Sequence, residues 1–199
     1  MSKQFIVSIG REYGCGGHSI AEKIAKRFNL KLYGSNMLEE IAAEKGSSID
    51  DLAKFDEKPR NVLFSRSVGD FSNSMEKSVA ELEFEFMKRK VSEGESFVVI
   101  GRCSDEILDD QNVEVIAAFI NGDTKDRINR ISEGLGISRG DAEDKMEQAD
   151  RKRRAYHDAL CKADWGDADS YDICLNSSKI GIEKTADLLE QYINVRLSM

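Results

Sequence analysis

The chain has 199 residues, 40% of them hydrophobic and 33% charged, which fits one domain with its own core and room for sub-domain insertions. A net charge of −8 weighs against a nucleic-acid polymer as partner, which needs a basic footprint, but not against a local basic site for a small phosphorylated ligand. No stretch approaches the roughly 18 apolar residues of a membrane span, and four cysteines with no CxxC pair, beside two histidines, speak against a zinc site or disulfide framework and for a reducing, cytoplasmic setting.

Residues 4–9 (QFIVSI) form a short apolar, β-branched run that stops at Gly10, the pattern of a buried parallel strand and not of a signal peptide. After the following glycines, Ile20, Ala21, Ile24, Ala25 and Phe28 recur at helical spacing, so a helix is predicted from about His18 or Ser19. A short second strand is expected at residues 31–33. Residues 35–92 read as helical, with Met75, Val79, Leu82 and Phe86 on one stripe and Gly94 as the stop. Residues 97–100 (FVVI) and 113–120 (VEVIAAFI) are two further strands, and 123–135 a helix with Ile128, Ile131 and Leu135 on one face. Ser138 and Asp141 resemble a capping box for a long helix reaching about Leu160. Residues 171–175 (YDICL) make the last strand, and Ile182, Ala186, Leu189, Ile193 and Leu197 line the last helix. Strands alternating with helical blocks predict right-handed crossovers and a parallel sheet covered on both faces, an α/β fold.

Between the first strand and first helix stands Gly10-Arg11-Glu12-Tyr13-Gly14-Cys15-Gly16-Gly17-His18-Ser19. A glycine-rich turn there lets backbone N–H groups converge on phosphate oxygens at a helix start; a tight turn without a ligand is the other reading. The segment departs from G-x-x-x-x-G-K-[ST]: Arg11 stands at the first glycine and Gly17 at the lysine. Arg102 follows a strand end, where α/β sheets bind ligands, and is read either as a phosphate clamp or as the partner of Asp105. In the basic run Arg151-Lys152-Arg153-Arg154, Arg153 shares a helical line with Ala142, Met146, Ala149, Tyr156 and Leu160. A cation on an apolar line needs a phosphate or a buried carboxylate; in the empty protein Asp150 or another nearby carboxylate is expected to hold it, or else this helix stands open to water as a lid. Arg127 and Arg130, opposite Ile128 and Ile131, read by themselves as surface charges, and Trp165 in a loop either packs or covers a base.

Taken together, the strings SIGREYGCGGHSIAEKIA, FVVIGRCSDEIL, DRKRRAYH and YDICLNSS resemble the cytidylate-kinase-like family of nucleoside monophosphate kinases, from the first strand to the last helix. The resemblance implies a P-loop-type three-layer α/β/α fold with a five-stranded parallel sheet. It implies a core of residues 1–33 and 95–199, a helical monophosphate-binding insert at about 34–94 and a lid at about 139–166. It places ATP phosphates on Arg11, Gly14, Cys15, Gly16, Gly17, His18 and Ser19 with Arg127, and Mg²⁺ at Ser19. The acceptor is assigned to Ser35, Arg102 and Asp105, and catalysis to Arg153, Arg151 and Arg154. Cys103 stands where true cytidylate kinases carry aspartate, and Glu39 or Glu40 where an arginine would follow Ser35. The implied activity is γ-phosphoryl transfer from ATP to a nucleoside monophosphate, CMP or dCMP by default. The alternatives are a non-catalytic or regulatory nucleotide-binding module and a kinase for another small phosphate acceptor. Small-molecule nucleotides are the expected partners, with neither nucleic-acid polymer nor membrane.

Overall fold

The structure, a computed structural model, describes residues 3–45, 75–101, 103–108 and 112–199. In chain order it runs β1 (Phe5–Arg11), α1 (Gly17–Phe28), β2 (Lys31–Tyr33), α2 (Asn36–Lys45), α3 (Met75–Ser92) and β3 (Phe97–Ile100). There follow α4 (Ser104–Ile107), β4 (Glu114–Asn121), α5 (Thr124–Leu135), α6 (Arg139–Leu160), a 3-10 turn (Ala168–Ser170), β5 (Ile173–Asn176) and α7 (Ser177–Leu197). The part of the expected helical stretch at 46–74 lies outside the described residues.

The five strands form one parallel sheet in the order β2-β3-β1-β4-β5. β1 is central, which explains its unbroken apolar run: both faces are covered. Its register sets Val7 beside Val98 on one side and Ile116 on the other. Phe5, Val7 and Ile9 point into a core with Ile20 and Ile24 of α1 and Ala186, Leu189 and Ile193 of α7. Ile6 points the other way, into a core with Tyr33, Met37, Phe86, Met87 and Phe97. Two layers of helix on one sheet thus follow from the period-two alternation of the strands and the 3.6-residue stripe of the helices.

β1 runs on through Gly10 to Arg11, paired with Phe119 and Ile120 of β4, and two further boundaries differ from the sequence pattern for identifiable reasons. α1 starts earlier than expected, because Gly16 in the left-handed region (φ 85°, ψ 10°) turns the chain straight into the helix. β5 starts later, because Asp172 bonds to β4 partly through its side chain: Ala117 N–H donates to Asp172 Oδ2 at 2.8 Å, while Asp172 N–H donates to the Ala117 carbonyl at 2.8 Å. Ser138 does cap its helix, with Asp141 N–H donating to Ser138 Oγ at 3.1 Å, and the Asp141 carboxylate accepts from the Ser138 hydroxyl at 2.7 Å. Chain order runs from β1 to β2 and β3 on one side and to β4 and β5 on the other. The crevice beyond the carboxyl end of β1 is therefore the switch point where such sheets bind ligands.

Candidate functional site

From the end of β1 the chain turns through residues 12–16 into α1. The N-cap residue Gly16 has no side chain to cap that helix, so the N–H groups of its first turn beyond Gly17 face the space ahead of the turn. The turn is pinned from below by Ser177, whose hydroxyl donates to the Cys15 carbonyl at 2.6 Å, with the Asn121 carbonyl 3.1 Å away to share that one proton. Gly17 N–H donates to Cys15 Sγ at 3.3 Å, and burial pushes the Cys15 thiol up.

A cleft of about 420 Å³ opens in front of this helix start, lined by the turn, His18, Ser19, Arg11, Arg130 and Arg153. A smaller inner pocket of about 30 Å³, the room of one water, lies among Gly101, Cys103, Tyr156 and His157. Arg11 and Arg153 line both cavities. They stand where the two meet.

Arg11 reaches this place by passing over Gly17. A Cβ on Gly17 would sit 2.7 Å from Arg11 Cβ and 3.1 Å from its Cγ. A side chain at position 17, lysine included, and Arg11 in its present course exclude one another. Arg153 comes from α6, donates to the Arg11 carbonyl at 3.2 Å and lies over the Tyr13 ring at 5.4 Å.

The other arginines take different places. Arg127 is buried, not a surface charge. Its Nε donates to the Tyr13 carbonyl at 2.8 Å, Nη1 faces Glu12 Oε2 at 3.2 Å and Nη2 pairs with Asp150. Asp150 also accepts Tyr13 N–H at 2.7 Å, and Glu12 accepts Gly122 N–H at 3.0 Å. Asp150, one of the carboxylates the sequence pattern offered to Arg153, therefore holds Arg127, and the cluster ties the glycine turn to α5 and α6. Arg130 donates to the Gly14 carbonyl and also lines the cleft. Arg151 is exposed and pairs with Glu147 at 3.0 Å, while Arg154 lies over the Trp165 ring at 5.2 Å. Trp165 itself is buried edge-on against Phe119, so it packs.

On the acceptor side, Ser35 is exposed at the start of α2 and lines neither cavity. Arg102 and the side chain of Asp105 lie outside the described residues. Three residues that the sequence pattern does not group come together beside the inner pocket: Cys103, His157 and Cys161. Their only sequence signal is the spacing of His157 and Cys161, one helical turn apart. The neighbouring Cys103 thiol and then burial push the Cys161 thiol far up, with His157 pulling the other way.

A profile of the cytidylate kinase-like family matches residues 6–179. The chain belongs to that family. Among relatives of this cytidylate kinase-like chain, a cytidylate kinase of Methanococcus aeolicus is 24% identical over 190 residues, 94% of this chain and 97% of that protein. A cytidylate kinase of Pyrococcus horikoshii is 22% identical over 177 residues, 88% and 81% of the two chains. A solved structure of an uncharacterized protein from Eubacterium ventriosum is similar with a TM-score of 0.76 and 32% identity, covering 96% of this chain and 99% of that one. A shikimate kinase from Bacteroides thetaiotaomicron, at 13% identity and a TM-score of 0.54 over 96% and 98% of the chains, shares the fold. This cytidylate kinase-like chain thus carries a five-stranded parallel sheet in a fold it shares with that shikimate kinase. Among the described residues no helix is long and apolar enough to cross a membrane.

Proposed function

We propose that the protein transfers the γ-phosphoryl group of ATP to a nucleoside monophosphate, with CMP or dCMP the acceptor to test first. The observation that carries this reading is the position of Arg11 and Arg153 on both cavities, at the end of an uncapped helix. Donor phosphates fit the N–H groups of α1 and the larger cleft, and Arg11 supplies the cation that a lysine at position 17 would otherwise bring. The acceptor phosphate approaches from the side of the inner pocket. In the reaction, the bond from the γ-phosphorus to the β–γ bridging oxygen breaks and one from the γ-phosphorus to an acceptor phosphate oxygen forms. Such transfer asks the protein mainly for positioning and charge neutralisation. Arg153, at the junction of the cavities, meets the charge of the phosphoryl group in passage, and Arg127 acts through the turn it holds.

Mg²⁺ fits as a hard cation that keeps water and phosphate oxygens as ligands. Ser19, whose residue lines the cleft, is the protein group that would hold it; the Glu12 carboxylate is engaged by Arg127 and Gly122. When bound, the ion offsets charge on the donor phosphates.

The test is ADP formation from Mg-ATP across CMP, dCMP, UMP, AMP and GMP, with shikimate and simple sugars as non-nucleotide acceptors. Turnover restricted to a monophosphate is the expected result. Turnover with a non-nucleotide acceptor alone would move the substrate class. ATP binding by calorimetry without any turnover would make the protein a nucleotide-binding module.

A further inference from the structure

The sulfur atoms of Cys103 and Cys161 and a ring nitrogen of His157 all lie within 4.8 Å of one another. In tetrahedral zinc, with Zn–S of about 2.3 Å and Zn–N of about 2.0–2.1 Å, ligand atoms stand roughly 3.3–3.8 Å apart. Shifts of about 1 Å would therefore bring these three onto one ion. We propose that Cys103, His157 and Cys161 form a Cys₂His site for Zn²⁺, with its fourth position toward the inner pocket.

Three features beyond proximity support the site. The residue types are those that select a thiophilic, borderline metal, and both Cys103 and His157 are buried, at 3% and 7% exposure. Cys103 adopts the left-handed region at φ 53° and ψ 31°. Among the described residues the other non-glycine residue with positive φ is Asn29, an ordinary helix C-cap. A cysteine in that conformation is strained, and such strain concentrates at functional positions.

The two backbones that carry the thiols are also fastened to one another. Lys162 N–H, next to Cys161, donates to both carboxylate oxygens of Glu106 on α4, at 2.8 and 3.0 Å. Around the imidazole, Asp158 Oδ1 lies 3.6 Å from His157 Nδ1, beyond hydrogen-bond length, so a carboxylate is near the ring without holding it. Since Cys103 and His157 line the inner pocket, an ion here presents its open position to that pocket, where water or an anionic oxygen completes a tetrahedron. It also staples the loop after β3 to the C-terminal end of α6. Its three ligands point to a metal whether or not the chain transfers phosphoryl groups, although the two sites share the inner pocket.

The experiment is a Co²⁺ titration of the reduced, chelator-treated full chain, followed by absorbance and then by competition with Zn²⁺. One equivalent of Co²⁺ should give a thiolate-to-cobalt charge-transfer band with tetrahedral d–d bands, and one equivalent of Zn²⁺ should bleach them. Zn²⁺ should also raise the melting temperature. Cys103→Ser, Cys161→Ser and His157→Asn should each weaken Zn²⁺ by more than the roughly 10–100-fold that losing an outer-shell partner costs. Cys174→Ser, at an exposed cysteine elsewhere, should bind as the parent does. No cobalt–sulfur band in the parent chain overturns the proposal, and so does a band that persists unchanged in Cys161→Ser. Loss of both thiols on mild oxidation together with no metal uptake would make the pair a disulfide instead.

Discussion

Arg11 and Gly17 are a matched pair. The arginine can run along the turn only because position 17 has no side chain, and Arg11 Cβ, fixed to the β1 backbone, has little room to give way. Supplying the lysine of the common P-loop pattern should therefore do harm. Gly17→Lys is expected to cost about 1–3 kcal/mol by overpacking, or roughly 2–4 °C of melting temperature per kcal/mol for a chain of this size. It should lower turnover instead of raising it, because Arg11 is displaced. A Gly17→Lys variant with higher kcat at an unchanged melting temperature would show that Arg11 is not the cation of the turn. Arg153 calls for the opposite pattern. Its contacts include the Arg11 carbonyl at 3.2 Å and the Tyr13 ring face at 5.4 Å; a cation–π contact at such a site contributes only about 0.5–1 kcal/mol. Arg153→Ala should melt within a few degrees of the parent. Loss of a charged donor at the centre of transfer should lower kcat by about 10²–10³-fold, with the KM for ATP nearly unchanged.

The elements that make the site meet through buried charge. Arg127 on α5, Asp150 on α6 and Glu12 in the turn form one cluster, with the Arg127 side chain 6% exposed and that of Asp150 19%. Breaking such a pair on one side leaves a buried cation with one partner fewer and frees Tyr13 N–H as well. Asp150→Ala should lower the unfolding free energy by about 3 kcal/mol or more. The double variant Arg127→Met with Asp150→Ala should lose less, because the deeply buried cation is then gone and the carboxylate left behind, Glu12, is 25% exposed and keeps the Gly122 N–H. Denaturant unfolding decides the order; a double variant weaker than Asp150→Ala alone would mean that Glu12 and Tyr13, not Asp150, are the main partners of Arg127. This cluster also marks what the sequence could and could not convey. Strand periods, glycine stops and the stripe of α6 place β1, β3, β4, α5 and α6 within a few residues of where they lie. The stripe places Arg153 on the inner side of α6, because a helix's own geometry decides which of its residues share a face. It does not decide what that face meets. Arg127, with Ile128 beside it, looks solvent-facing on an isolated helix; it is buried because α6 packs against α5 through Ile128, Ile131, Ala142 and Met146. Asp150 then faces Arg127 rather than Arg153. Cys103 and Cys161 are brought together by the same long-range packing, which no local spacing announces.

At the scale of the whole molecule, one residue of the last helix closes the far end of the sheet. Arg196 donates from Nη2 to Glu114 Oε1 and from Nη1 to Asp172 Oδ1, both at 2.7 Å, while Lys3 Nζ donates to Glu114 Oε2 at 3.1 Å. The chain start, the first residue of β4, the approach to β5 and α7 are thus joined through two carboxylates. Arg196 first, then Lys3, hold the Glu114 carboxyl below its usual range. A carboxyl group depressed in the folded state adds stability that is complete above its unfolded value, near 4.3, and is lost as pH falls through the lower folded value. The side chains of Arg196 and Glu114 are 29% and 21% exposed, so this pair lies between a surface and a buried ion pair. Arg196→Met, which keeps the aliphatic packing on α7, should cost about 1–2 kcal/mol at pH 7. That corresponds to roughly 2–8 °C in melting temperature. The gap between parent and variant should hold from pH 7 to about pH 5 and narrow below about pH 4, as Glu114 takes up its proton in the parent. Raised salt should shrink it less than it would for a fully exposed pair. A gap of the same size at pH 3 and pH 7 would place the contribution of Arg196 in its methylene packing, and Glu114 would then not be the group through which acid loosens this end of the sheet.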